Sequence, residues 1–564
     1  MPTIKDVIAR LLPLGADGMK QWKTPPSWPP DLFAVVATLI KLSECYSHPS
    51  YTEPRRATAW FYNTEYLKEV ERRGRSWRET GEVPRGVREL WSALRNQDAD
   101  VADGSASCEW WDVSMKLMAI ADEASKGIGF FEPSERLPFS DFLCFQHYLH
   151  INKKKPALPH YPHSICLLVP ASEVCVQPKT RTAQLGSTLR SLSHHLALLP
   201  SVGEVKTSFE LSLTEESATT DPSVKPLNIL VVPFPYRIRG SCFQGTDSSV
   251  TTSAQNEATP DARYFTLEQK WLNNGRRKLT HDELGGFLVD LIRSAEREVG
   301  VVHALVLPEG ALDGRLDRKI ADYLAARTHL EIFISGTLSR APRNRSFDEN
   351  QVYSAIFFKH AVYRQWRQTK HHRWRLDRGQ VNRYHLGHVL DPGLTWWEKI
   401  NISNRQCFFH VFRQGACLAT LVCEDLARID PVQTVLRSVG PNLVVALLMD
   451  GPQWERRWPG RYATVLADDP GSAVLTVTSL GMVRRSVMPG EKAPKEIALW
   501  KDASGYAQEL KLPKGAHGLL LTVSGTWVTN FTMDGRSDKK STLSLSLSGV
   551  RDVSHPDSPA WLDY

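Results

Sequence analysis

The chain has 564 residues, 42% of them hydrophobic, and 69 Lys and Arg against 62 Asp and Glu give a net charge of +7. That length exceeds what one hydrophobic core supports, so two or three domains are expected, and the apolar fraction excludes a disordered chain. No apolar run approaches the ~20 residues that span a bilayer, and Met1-Pro2-Thr3-Ile4-Lys5-Asp6 lacks a signal-peptide core, so the expectation is a cytoplasmic protein with no membrane partner.

Nine cysteines without Cys-x-x-Cys or Cys/His zinc spacing argue against a disulfide framework and a structural metal. The adjacent pairs His194-His195 and His371-His372 point apart and suggest no chelate.

In chain order, residues 32–42, 87–95 and 111–124 read as helices, and the tryptophans among them suit core packing better than a partner surface. Residues 1–160 are therefore expected to form a mainly helical N-terminal domain of unassigned role. A strand is expected at 164–169. A Ser/Thr/Glu-rich stretch, 208–226, marks the main boundary, which leaves 161–225 as a connecting segment before a domain spanning 226–564.

That domain alternates strand and helix signals, as a layered α/β sheet requires. Residues 228–233 read as a core strand, 245–260 as a mobile polar loop, and Thr280 with Glu283 as the capping box of an amphipathic helix. A strand ending in Pro308-Glu309 follows, then a helix at 315–327 and strands at 330–334 and 352–358. Residues 363–378 mix Arg, Lys and Trp, suited either to an active-site mouth or to phosphate pairing and base stacking. The turn 412–418 feeds a strand ending in Val422-Cys423-Glu424-Asp425, followed by a helix at 431–440 and a strand at 441–448. Short strands at 497–500, 518–523 and 542–547 are expected to complete the second sheet.

A thiol, a carboxylate and an ammonium are the minimum apparatus for covalent acyl transfer: the thiolate attacks, the carboxylate moves protons, and the cation stabilises the oxyanion. A lone Cys at the end of an apolar strand is usually an inert core residue, so the combined order of Glu309, a lysine and Cys423 carries the reading. That order, with Pro308-Glu309 at one strand end and Leu421-Val422-Cys423-Glu424-Asp425 at another, resembles the carbon-nitrogen hydrolase (nitrilase) superfamily over roughly residues 226–535.

The resemblance implies a four-layer α-β-β-α sandwich and a Glu309, Lys370, Cys423 triad without cofactor or metal. It also implies a small-molecule amide or nitrile substrate, amide being the commoner, and a homo-oligomer. Lys359 lies in the same interval, but the context Lys370-His371-His372 fits the family better. Asp425 is expected to be a scaffold residue, the Glu424 amide a second oxyanion donor, and Trp454 a pocket-lining residue. Where the family often carries a second glutamate this reading places Gln380, which cannot take a proton. The alternative is a catalytically weakened accessory protein acting through a partner or nucleic acid, by analogy with nitrilase-like domains in bacterial antiviral defence.

Overall fold

A computed structural model describes residues 2–14, 21–47, 63–102, 109–130, 160–212, 225–246, 262–275, 277–341, 347–413, 415–488, 490 and 493–563. Two large mixed sheets face each other. The seven-stranded sheet runs, edge to edge, Ala361–Thr369, Glu349–Phe358, Ile332–Ser339, Ala304–Asp313, Leu227–Val231, Gly518–Val528 and Thr542–Val553. The eight-stranded sheet runs His160–Pro162, Lys206–Leu211, Gln406–Phe412, Ala416–Val422, Leu443–Leu448, Ala473–Thr478, Glu496–Lys501 and Ala507–Lys511.

Side-chain alternation sorts the inner strands between two buried clusters. Leu443, Val445 and Leu447 enter the core between the sheets, whereas Val444 and Ala446 enter a second cluster on the outer face. Strands buried on both faces read as continuous apolar runs, which is why 441–448 and 416–422 were legible. Helices His281–Val299 and Leu316–Ala325 pack on the seven-stranded sheet, and Trp458–Asp468 packs on the other, giving the α-β-β-α order.

The N-terminal region is helical, with Pro29–Ser43, Arg85–Arg95 and Glu109–Ala124 close to their expected positions. Two further helices, Ile4–Leu11 and Thr64–Thr80, were not foreseen. In the latter only Val70, Gly74 and Trp77 are buried, too sparse an apolar stripe to read. These helices share one apolar cluster with Phe409, Val411, Cys417, Ala419 and Leu421 of the eight-stranded sheet. The strand Lys206–Leu211 lies in register beside Gln406–Phe412, so residues of the 161–225 segment extend the sheet itself.

Residues 164–169 are not a strand. Buried Asp31 accepts hydrogen bonds from the amides of Leu167, Leu168 and Val169 at 2.9–3.0 Å, and three successive amides on one carboxylate bend the chain away from a ladder. The polar link 208–226 begins as strand through Leu211, and its residues 213–224 lie outside the described residues. Likewise Phe243–Thr246 is a strand, and 247–260 of the expected mobile loop falls outside the described residues. The C-terminal strands divide between both sheets instead of completing one.

Candidate active site

The glutamate strand, Ala304–Asp313, pairs with Ile332–Ser339 through a bulge between Leu307 and Leu312, and Glu309 sits in it. Gly310 follows in the left-handed region (φ +66°). Gly336 opposite is obligatory, because a Cβ there would stand 2.3 Å from Glu309 Cα. The cysteine strand, Ala416–Val422, ends at Cys423, which takes φ +45° and opens a short 3-10 turn. A non-glycine residue held there costs about 1–2 kcal/mol, strain of a kind that accumulates at functional positions.

Lys370 follows the hairpin strand Ala361–Thr369, and its main-chain amide donates to the Asn350 carbonyl (2.8 Å). Its Nζ donates to Glu309 Oε1 (2.9 Å) and to Glu398 Oε2 (2.7 Å). The Asn350 side-chain amide bridges the same two carboxylates, donating to Glu309 Oε1 (2.8 Å) and Glu398 Oε1 (2.7 Å). The structure thus joins Lys370 to Glu309. Lys359 sits instead in the exposed hairpin turn, its Nζ 5.3 Å over the Phe358 ring.

The second carboxylate is Glu398, not a residue at position 380. Gln380 lies at the exposed start of helix Arg378–Arg383, where it completes a capping box with Asp377. Glu398 ends strand Thr395–Glu398 of a small four-stranded sheet, which pairs in parallel with Ala262–Leu267. The Trp374 amide also donates to Glu398 Oε2 (3.1 Å), and the Trp374 ring packs on Phe243 and Phe265 of that sheet. One short-range signal was present: an apolar doublet, Trp396-Trp397, ending in a carboxylate.

Asp425 holds the lysine loop by accepting from the amides of His371 and His372 at 3.0–3.1 Å. The Glu424 side chain turns out to Arg428 (3.0 Å). Trp454 lies partly exposed on the loop after Leu443–Leu448, with Arg456 over its ring at 4.9 Å.

The groups are sealed: Cys423 is 2%, Glu309 1% and Lys370 0% exposed. The partial exposure expected of an activated thiol is not found. Burial first, then the Glu309 carboxylate, push the Cys423 thiol well above its ordinary pKa, against Lys370 and a backbone hydrogen bond with Met449. Burial also raises Glu309, with Glu398 adding to it and Lys370 opposing. For Lys370 burial acts downward, but Glu309, Glu398 and Cys423 outweigh it and hold the ammonium well above its usual range.

Two buried acceptors in this cluster, Glu309 Oε2 and Asn350 Oδ1, have no hydrogen-bond partner among the described residues. Lys370 has three N–H groups and spends two on carboxylates, leaving one. A cavity of about 520 Å³ opens beside Glu398, bounded by Phe265, Leu338, Asp348 and Ile400. Among the described residues no cluster of His, Cys, Asp and Glu is arranged to hold a metal ion, and no helix is long and apolar enough to cross a membrane.

Neither a family model nor a curated protein matches the sequence. Solved structures do. A Saccharomyces cerevisiae member of branch 10 of the nitrilase superfamily matches 53% of this chain and 90% of its own, at 10% identity and a TM-score of 0.31. A carbon-nitrogen hydrolase superfamily protein from Xanthomonas campestris matches 53% and 91%, at 15% identity and 0.30. A glutamine-dependent NAD+ synthetase from Acinetobacter baumannii matches 59% of this chain and 48% of its own, at 11% identity and 0.32.

Proposed function

We propose that the protein hydrolyses a non-peptide carbon-nitrogen bond, in an amide before a nitrile, through a thioester on Cys423. The observation that carries this reading is the buried Glu309, Lys370 and Glu398 cluster, with one lysine N–H and one glutamate oxygen left over beside a thiol in a left-handed turn.

The charge balance sets the order of events. Two carboxylates and one ammonium already leave the cluster at −1, so ionising the resting thiol would double an uncompensated buried charge. The thiol therefore stays protonated until substrate arrives. Cys423 Sγ then attacks the amide carbon while Glu309 Oε2 takes its proton, and the carbonyl electrons move to oxygen. The third Lys370 N–H and the Glu424 main-chain amide stabilise that oxyanion. Glu309 returns the proton to the leaving nitrogen, the C–N bond breaks and the amine departs. Water then attacks the thioester, giving its proton to Glu309, and the acid leaves as the thiol is reprotonated. Glu398 and Asn350 position Lys370, and Trp454 is the pocket-lining candidate for the rest of the substrate.

Sealing of the cluster favours one second reading, an accessory protein whose catalysis is weakened and whose work is done through a partner or nucleic acid. Ammonia release from a panel of small amides, with intact-mass detection of an acyl adduct, separates the two. Release and adduct that both vanish in Cys423→Ala support the hydrolase. No release and no adduct from any amide or nitrile would remove it and leave the second reading.

A further inference from the structure

The basic stretch 363–378 is largely spent in the fold: Arg364 pairs with Glu210 (3.0 Å), Arg367 with Asp317 (2.7 Å), and Lys370 belongs to the buried cluster. Unpaired arginines gather instead where three other segments meet. Residues 233–246, 378–390 and 479–488 contain six arginines and no Lys, Asp or Glu. Main-chain groups hold these segments together. The Leu480 and Gly481 amides donate to the Pro233 and Pro235 carbonyls (both 2.9 Å), and the Arg485 guanidinium donates to the carbonyls of Ile238 (3.2 Å), Tyr384 (2.6 Å) and His385 (3.0 Å). Arg484 donates to the Tyr236 carbonyl (3.1 Å), and a Cβ on Gly240 would stand 2.4 Å from the His388 ring.

Arg239, Arg378, Arg383 and Arg484 are exposed, and neither they nor Arg485 form an ion pair among the described residues. Carbonyl oxygens orient a guanidinium without cancelling its charge. Two carboxylates border the patch, Asp377, which accepts the Gln380 amide, and Asp391, which accepts the Gly393 amide. Glu268, the next nearest along the chain, already faces both Lys270 (3.5 Å) and Arg340 (3.7 Å). Five arginines therefore stand against two carboxylates. Arg485 responds to this imbalance: burial draws its pKa below the ordinary arginine value, and only the Cys242 thiol acts the other way, with no carboxylate to restore it. At the edge of the patch a cavity of about 140 Å³ opens between Arg237, Arg239 and Lys270, with no carboxylate in its wall.

A surplus of like charge on one face draws anions to it, and this one is a large part of the chain's net charge of +7. Arginine without lysine suits phosphate, whose oxygens match the planar guanidinium fork. Of the large hydrophobic side chains that are exposed, Met488 alone belongs to these segments, too little apolar surface to enter a lipid layer. Phe234, Tyr236, Phe243 and Tyr384 are all buried, so no ring is offered for base stacking. We propose that this patch binds the phosphodiester backbone of a nucleic acid duplex without regard to base sequence. Arg239, Arg378, Arg383 and Arg484 contact phosphates, and Arg485 fixes the three segments that carry them. The binding is independent of any chemistry at Cys423.

The test is fluorescence anisotropy of labelled DNA and RNA duplexes of about 20 base pairs, titrated with the full chain from about 50 to 200 mM salt. Four phosphate contacts predict saturable binding whose log K falls against log salt with a slope of about −4, and the duplex bound more tightly identifies the source of the backbone. The triple variant Arg239→Gln, Arg378→Gln, Arg383→Gln should flatten that slope to about −1, and none of these three side chains holds a hydrogen bond that the fold would lose. A variant of equal charge loss elsewhere, Arg318→Gln, Lys319→Gln, Lys514→Gln, should bind as the parent does, as should Cys423→Ala. Absence of saturable duplex binding, an unchanged slope in the triple variant, or an equal loss in either control overturns the site. Tighter binding of phosphatidylserine-rich vesicles or of polyglutamate than of either duplex overturns its assignment to nucleic acid.

Discussion

Two of the buried ionic networks among the described residues, one around Arg536 and one around Lys370, differ in what they leave undone. Around Arg536 every valence is used: Asp122 also accepts the amides of His194, His195 and Leu196, and Asp534 also accepts the Tyr66 hydroxyl. Around Lys370 a glutamate oxygen, an asparagine oxygen and one ammonium N–H remain unspent. A saturated network fastens parts together, whereas one with leftover valence is arranged for something that has yet to arrive.

The comparison breaks most easily at its structural end. A chain limited to residues 226–564 would bare the outer apolar face of the eight-stranded sheet, so we expect it to be insoluble or molten, measured by solubility and near-UV circular dichroism. Recovery of a stable, cooperative fold would show the helices to be an independent domain. Arg536→Ala should cost about 3–5 kcal/mol in denaturant unfolding, because it strands buried carboxylates, while leaving any amide hydrolysis per folded molecule unchanged.

At the chemical end, Glu309→Gln should lower turnover by about 10²–10⁴-fold, the usual worth of a general base. The same change should hasten alkylation of Cys423 by iodoacetamide. Glu309 raises the thiol pKa, so neutralising it lets thiolate form at lower pH, whereas Lys370→Met removes the opposing cation and should slow alkylation. The acid limb of the kcat/KM profile should lie above the ordinary glutamate range, because burial raises Glu309, and should move higher still in Lys370→Met. Activity lost along an ordinary carboxylate titration would place the base elsewhere. Smallest of all, Lys359→Ala should leave both rate and stability within error, and a large loss there would reopen the choice of lysine.

Much of this was legible in the sequence because the local code was strong. Cys423 follows directly on a continuous apolar strand, and Glu309, expected at a strand end, sits in the bulge after the apolar run Ala304–Leu307 of a strand that continues to Asp313; runs buried on both faces announce themselves without partners. Glu398 was missed because its strand is four residues long and pairs with Ala262–Leu267, more than a hundred positions earlier, which no local pattern encodes. Gln380 stands where the resemblance expects a second glutamate downstream of the lysine, yet its capping box with Asp377 keeps it on the surface. The strand expected at 164–169 failed for a related reason, since the Asp31 carboxylate that bends it belongs to a distant helix.

The sealing of Cys423 has a further consequence for the life of the protein in an oxidising cell. Peroxide attacks thiolates that it can reach, and this sulfur is both protonated and out of reach. The thiol is kept intact, and, with Cys423 as the proposed nucleophile, its rate of oxidation becomes a clock for how often the buried cluster is exposed.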